Sequence, residues 1–455
     1  MPSAAPDRPA NGMTKLTNCR LVRGDSLVWE DIWVSSTTGK ILRSQATFYD
    51  ELILPDNTID LGGRIVSPGM IECQLNGAFG FNFSTLLDDM TQYPENVRHL
   101  NHQLIQTGVT SYIPTVTSQT ADLYSQVLPY LGPSGKARRA EDGAESLGAH
   151  VEGPFLNPGK NGVHNKAVLC EASSLSDLED MYGRSNITPD PSDPERPTSV
   201  KMITAAPELG QMTSLIPALV DRGLVFSIGH SEATYEEASA AVAAGATMIT
   251  HLFNAMRPLH HRNPGIFGVL GVAASSLPGF PPRPYFGIIA DGIHLHPTTI
   301  KIAWNAHPDG FILVTDAMHM AGLPDGTYPW TNGQEEHFIT KKGAVLLLEG
   351  SDTIAGSSIT LIDCVNNFLK WSGATIPQAL RAVTCTPAAM LGVQGTKGVL
   401  DFGADADLVI FSEAEERNND SAHGEGMSSK LVVDEVWKFG TKVYSRCEKG
   451  KDGIL

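Results

Sequence analysis

Between residues 66 and 316 the chain repeats one pattern: a short apolar run that ends in polar residues, followed by a segment with helical signals. The runs are Val66–Leu75, Thr110–Val116, Leu147–Glu152, Val200–Pro207, Val225–His230, Met248–Asn254, Phe286–Asp291 and Phe311–Asp316. Strands that alternate with helices pair in parallel, because a helical crossover returns the chain to the end where it started. Eight of them predict an α/β fold closed into a (β/α)8 TIM barrel. An open doubly wound sheet is the alternative for the same alternation. Against it, no GxGxxG follows the first run, and the polar residues are spread over many strand ends rather than gathered at one switch point.

The ends of the chain have a different texture. Lys15–Val22 and Asp31–Val34 are short alternating stretches punctuated by Gly24, Gly39 and Gly62-Gly63, and 398–411, 431–433, 435–437 and 441–444 look the same. Neither end has the apolar length for a good sheet alone, so both termini are expected to pair into one small β-sandwich. The expected organisation is a disordered tail at 1–12, the first part of the sandwich at 13–65, the barrel at 66–394 and the second part of the sandwich at 395–455. The polar, Gly/Pro-rich stretches 132–146 and 173–197 read as loop insertions, and 412–430 as a flexible loop.

In a closed barrel all C-terminal strand ends surround one mouth, so residues distant in sequence meet there. Ser227-Ile-Gly-His230 and Thr250-His251-Leu-Phe-Asn254 flank a helix signalled by a Thr234/Glu237 capping box and by Gly245 at its end. Two histidines at equivalent ends of adjacent strands can hold one metal ion. Glu152 joins them from His150-Val-Glu-Gly-Pro-Phe155, where Gly153 and Pro154 turn the chain at the mouth. One carboxylate and two imidazoles form the ligand set of catalytic zinc sites with an open position. Gln74 and Asn76 follow the first strand, Asp291 and His294 the seventh, and Asp316 the eighth. Asp316 could act as general base and then general acid, or as a fourth ligand; spacing leaves both open. Arg262 lies in a Pro-bounded basic stretch, Arg257–Pro264, and a guanidinium suits phosphate through fixed bidentate donors.

Charge and cysteine usage narrow the partners. A net charge of -17 opposes long-range attraction to nucleic acid or anionic membranes, so an anionic substrate needs a local basic pocket. The six cysteines show no CxxC spacing, which argues against a zinc ribbon or a disulfide framework and fits a reducing compartment. No stretch resembles a signal peptide or approaches eighteen uninterrupted apolar residues, and a cytoplasmic location is expected.

Several long stretches carry a resemblance. They are Ser67–Gly77, His150–Asn157, Lys160–Asn165, Gly229-His230-Ser, Thr250–Met256, Ile289–His294, Val314–Met318 and Thr353–Ser358. Through them the chain resembles, over nearly its whole length, the N-acetylglucosamine-6-phosphate deacetylase family of the amidohydrolase superfamily. The resemblance implies Glu152, His230 and His251 as metal ligands, Asp316 as catalytic acid/base, and His164 as a group that polarises the acetyl carbonyl. It further implies substrate contacts from Val163, Asn254, Ala255, Arg262 and His294, the last four around the sugar phosphate, and from a loop at Ile354, Ala355 and Gly356. It also implies a homodimer and a phosphorylated amino sugar as the small-molecule partner.

Many members of that superfamily carry His-x-His after the first strand and hold a second metal with it. Here the positions are Gln74-Leu-Asn76, and neutral amides are poor ligands for a transition metal. One divalent metal per chain is therefore expected, zinc by preference, with Gln74 and Asn76 contacting the bound water or the substrate. The implied reaction is attack of a metal-activated water on the N-acetyl amide, releasing acetate and glucosamine 6-phosphate. Two other readings are an amidohydrolase acting on a different amide or deaminating a ring, and a scaffold that has lost its chemistry. Retention of Glu152, His230, His251 and Asp316 speaks against the scaffold.

Overall fold

The computed structural model describes residues 10–43, 54–135, 138–193, 196–272, 282–332, 335–350, 353–418 and 426–447. All eight apolar runs are strands: β1 Met70–Leu75, β2 Val109–Val116, β3 Ala149–Glu152, β4 Val200–Ala205, β5 Val225–Ile228, β6 Met248–Ile249, β7 Tyr285–Ile289 and β8 Phe311–Val314. Each pairs in parallel with its neighbour in sequence, in the order expected of a barrel. The circle closes at the C-terminal ends of β8 and β1, through the bridge Leu75–Ala317 and the bond from the Asp316 N–H to the Gln74 carbonyl at 2.9 Å.

Alternation along the strands builds two apolar layers. Ile312 and Val314 join Ile71, Cys73, Ile113, Met202, Val225, Met248 and Ile289 in one buried cluster, which Ala388, Met390 and Leu391 from the C-terminal end of the helix Cys385–Met390 complete. Phe311 and Leu313 point the other way, into the larger core shared with the surrounding helices. The helix Tyr235–Ala243 has the expected Thr234/Glu237 capping box, and Gly245 follows its C-cap with φ 116°.

Both termini enter one small β-sandwich. Strands 40–42, 32–35, 13–17 and 57–60 form one sheet; 441–445, 426–438, 408–418, 65–68, 20–23 and 26–29 form the other. Phe411 pairs with Ile65 and Leu408 with Pro68 across the two ends of the chain. Leu16, Val34 and Ile41 from the N-terminal part share a core with Leu408, Ile410 and Trp437. Neither half closes that core alone.

Several expectations need correction. The stretch 173–197 contains a helix, Leu175–Tyr182, because Ser174 and Asp177 make a reciprocal capping box and Leu178 and Tyr182 have an apolar surface to cover. The insertion 132–146 is not all loop, since Glu145-Ser146 forms a buried edge strand on β2. Within 412–430, strands extend through Asn418 and from Gly426, and 419–425 lies outside the described residues. Of the tail, 1–9 also lies outside them, whereas the Asn11 and Gly12 N–H groups each donate to the Asp56 carboxylate at 2.7 Å.

A four-stranded antiparallel sheet follows β8: 326–332, 335–342, 345–348 and 354–357. The expected loop at Ile354–Gly356 is therefore a strand, paired with Val345–Leu348. Its register is fixed by the buried face of Ile339, Leu346 and Ala355 against Met318 and Met320.

Candidate active site

The strand ends turn inward at the barrel mouth through strained backbone. His230, His251, Ala255 and Asp316 all have positive φ, at 49°, 28°, 48° and 48°. Such conformations cost roughly 1–3 kcal/mol each and persist where the surroundings over-determine them. The residue before His230 must be glycine, since a Cβ on Gly229 would lie 2.7 Å from Thr204 Cγ2 and 2.8 Å from Thr250 Cβ. Beside Glu152, a Cβ on Gly153 would meet Ser118 Oγ at 2.1 Å. The Gly153 carbonyl is held by the hydroxyls of Tyr124, at 3.0 Å, and Tyr182, at 2.8 Å.

Glu152, His230 and His251 converge. Glu152 Oε1 lies 3.0 Å from His230 Nε2 and 3.1 Å from His251 Nε2, and the two Nε2 atoms are 3.1 Å apart. The His230 ring donates from Nδ1 to the Lys160 carbonyl at 2.7 Å, so a neutral His230 presents a lone pair at Nε2. A lone pair pointed at a carboxylate oxygen in a dry site is unfavourable unless a cation stands between them. The donor set of two imidazole nitrogens and one carboxylate oxygen suits zinc or a similar divalent ion better than a hard oxygen-seeking one. Burial pushes the Glu152 carboxyl up, but the two histidines outweigh it and hold it well below the usual carboxylate range.

His164 stands next to this set, with Nε2 3.9 Å from Glu152 Oε1. The Ser118 backbone N–H donates to His164 Nδ1 at 3.2 Å. The same Nδ1 lies 2.8 Å from Ser118 Oγ, so Ser118 holds the ring at Nδ1 and leaves Nε2 facing the cavity. Burial pulls His164 down to about 3, with His230 adding to the effect, so the ring is neutral. His164 also falls within ligand distance of Glu152 and His230.

Gln74 and Asn76 each hold one carboxylate. Gln74 Nε2 donates to Glu152 Oε2 at 3.2 Å, on the oxygen facing away from the histidines, and Asn76 Nδ2 donates to Asp316 Oδ1 at 2.7 Å. Burial, with the Glu152 charge second, pushes Asp316 up to about 6. His294 is oriented by Asp291, which accepts its Nδ1–H at 2.6 Å and the backbone N–H groups of Ile293 and His294.

These residues line one cavity of about 200 Å³. Asn76, Glu152, Val163, His164, His230, His251, Asn254, Ala255, His294, Asp316, Ile354, Ala355 and Gly356 all reach it. Gln74 and Arg262 do not. Gln74 is buried behind Glu152, and Arg262 is exposed on the loop after β6. Met318, His319, Trp330 and Thr331 also line the cavity and went unread in the sequence. The signal was the alternation in Gly326–Asn332 and the short apolar run Val345–Leu348, which together mark strands after the last barrel strand. A second carboxylate cluster, Glu145, Asp405 and Asp407, has metal-like spacing. It is already neutralised by Arg138, which pairs with Glu145 and Asp405, and by Lys397 and Lys438, whose Nζ atoms lie 2.6 and 2.8 Å from Asp407.

A parallel eight-stranded barrel with a Glu-His-His set and a buried aspartate at its C-terminal mouth defines a metal-dependent hydrolase. Comparison with known proteins narrows that class. The amidohydrolase family model matches residues 65–450. The N-acetylglucosamine-6-phosphate deacetylase of Danio rerio is 39% identical over 408 residues, covering 88% of this chain and 93% of the relative. That of Homo sapiens is 40% identical over 407 residues, covering 88% and 92%. The crystal structure of the deacetylase of the same name from Pasteurella multocida superposes with a TM-score of 0.75 at 24% identity, covering 95% of this chain and 100% of that one. The chain belongs to the amidohydrolase family, among its N-acetylglucosamine-6-phosphate deacetylases.

Proposed function

We propose that this protein hydrolyses the N-acetyl amide of N-acetyl-D-glucosamine 6-phosphate to D-glucosamine 6-phosphate and acetate, a step in amino-sugar breakdown and recycling. The observation that carries the reading is the convergence of Glu152, His230 and His251 in the cavity that Asp316 also enters. Similarity to curated deacetylases over most of the chain supports the choice of substrate.

One divalent ion per chain, zinc by its donor set, would be held by Glu152, His230 and His251, supplying Lewis-acid polarisation and a hydrolytic nucleophile at neutral pH. His164 donates its Nε2–H to the acetyl oxygen, where negative charge develops as water adds. Asp316 takes the proton from the attacking water and delivers it to the departing nitrogen as the C–N bond breaks. Its elevated pKa suits both transfers, because neither protonation state is far from the other near neutrality. Asn76 holds the Asp316 carboxylate in place and Gln74 orients Glu152. Val163, Asn254, Ala255, His294 and the strand Ile354–Ser357 enclose the sugar phosphate.

The protein is further read as a cytoplasmic homodimer, with the sandwich at 13–65 and 395–455 flanking a barrel at 66–394. A dimer would let Arg262, exposed on its own chain, reach the phosphate in a neighbouring site. The -17 net charge opposes nucleic-acid partners, and among the described residues no helix is long and apolar enough to cross a membrane. The deciding experiment is acetate release from N-acetylglucosamine 6-phosphate and from its unphosphorylated form, with and without chelator and zinc add-back. Equal rates on the two sugars, or turnover that survives chelation, would refute the reading.

A further inference from the structure

The barrel is not closed evenly. Between β8 and β1, the only pair that are not neighbours in sequence, backbone bonding changes character along the seam. At its N-terminal end the strands do not bond to each other: the Ile71 N–H donates to the Val383 carbonyl at 2.8 Å, and the Leu313 N–H to the Ala382 carbonyl at 3.1 Å. Residues 382 and 383 therefore wedge the two strands apart. At the C-terminal end the strands meet, through Asp316 N–H to the Gln74 carbonyl and Asn76 N–H to the Ala317 carbonyl, both at 2.9 Å.

Glu72 sits where one regime becomes the other. It is 1% exposed, and Oε1 accepts the Gln74 N–H at 3.0 Å and the Thr315 N–H at 3.3 Å, while Oε2 accepts the same Thr315 N–H at 3.2 Å. The carboxyl stands in for the strand carbonyl that the wedge removes. Thr315 immediately precedes Asp316, and the Gln74 carbonyl is the acceptor for the Asp316 N–H. Three consecutive seam contacts thus run from Glu72 to the residue held at φ 48°. Glu72 does not line the catalytic cavity.

We propose that Glu72 is a positioning residue: its carboxyl bridges the β1–β8 seam and fixes the backbone that aims Asp316 and Asn76 into the site. The proposal rests on the reading of Asp316 as acid/base. Glu72→Leu removes the acceptor and leaves the Thr315 and Gln74 N–H groups unpaired across the seam. A displacement on the order of 1 Å at a reacting group can cost about 10²-fold in rate.

Four quantities are measured on purified Glu72→Leu and Glu72→Gln: kcat, KM, bound metal, and hydrogen exchange at the Thr315 and Gln74 amides. For Glu72→Leu the expected result is a kcat lower by about 10²-fold, KM within about threefold, metal content unchanged and faster exchange at both amides. Glu72→Gln, which keeps one acceptor oxygen, should recover at least about tenfold of the lost kcat. Where Glu72→Leu does not fold, Glu72→Ser carries the same expectation, because the adjoining cavity of about 30 Å³ admits a water to satisfy the N–H groups without a fixed bridge. Unchanged kcat in the folded variant, or a loss that follows loss of metal and that Gln fails to recover, overturns the proposal. Asp316→Asn assayed alongside separates the two claims. Near-normal turnover there sinks the acid/base reading itself, whereas an inactive Asp316→Asn beside an unaffected Glu72→Leu sinks only the seam proposal.

Discussion

Asp316→Asn should make the protein catalytically dead and, once stripped of metal, more stable. Asp316 is pushed from its ordinary 3.8 to about 6 by burial first and the Glu152 charge second. Ionising it in the folded state therefore costs on the order of 3 kcal/mol relative to the unfolded chain. The folded pKa is the higher one, so between about pH 4 and 6 the native state binds more protons than the unfolded state. Stability from this group accordingly falls as pH rises through that window and stays low above it. Asparagine never ionises, and its Oδ1 can still accept from Asn76 Nδ2, which lies 2.7 Å from Asp316 Oδ1. The gain should be near zero at pH 4, approach ~3 kcal/mol by pH 7–8, and appear as a higher denaturant midpoint in chelated protein. The same substitution should lower kcat of the zinc-loaded enzyme by at least about 10³-fold, because both proton transfers use the one carboxylate. A chelated variant no more stable than wild type at pH 8, or equally stabilised at pH 4, would refute the electrostatic reasoning.

Other outcomes follow from the same geometry. Metal analysis should give one tightly bound divalent ion per chain, with activity lost on chelation and restored by zinc; two tightly bound ions would contradict the role given to Gln74 and Asn76. Gln74→Leu, which releases Glu152 Oε2, should weaken metal affinity by about 10–100-fold in a competition titration while leaving the fold intact. Lys397→Met leaves Glu145, Asp405 and Asp407 short of one buried cation and should cost about 3–5 kcal/mol in denaturant midpoint, with kcat of the folded protein unchanged. Burial pushes Glu145 up, but Lys438, Lys397 and Arg138 outweigh it and hold the carboxyl well below the usual carboxylate range. The stability it contributes is thus complete above the ordinary glutamate pKa and lost as pH falls. The wild type should lose more stability on acidification than a Glu145→Gln variant, and parallel curves would count against the cluster's role.

Much of the site was legible because each candidate site residue is a polar group that interrupts an apolar strand at its C-terminal end. His230, His251, Glu152 and Asp316 stand out in the sequence for that reason, and barrel closure alone brings them together. The orientation of His164 was not legible, since it depends on Ser118, forty-six residues earlier, whose N–H and hydroxyl both meet Nδ1. The lining from Trp330 and His319 was missed because only the contact between the antiparallel insertion and the loop after β8, where His319 Nε2 lies 3.2 Å from the Pro329 carbonyl, brings them to the mouth.

The sequence by itself determined the eight-fold alternation, the strand texture of the two termini and the chemical types offered at the mouth. These are local properties, set by strand and helix periodicity and by where polar residues break an apolar run. Only the tertiary structure decided how the groups at the mouth are oriented, which amides steady which carboxylates, and how the last strand meets the first. Each of those depends on a contact between segments far apart in the chain. Glu72 shows the difference: as a sequence letter it is an acid in an apolar strand, and at the β8–β1 seam it takes the place of a backbone carbonyl.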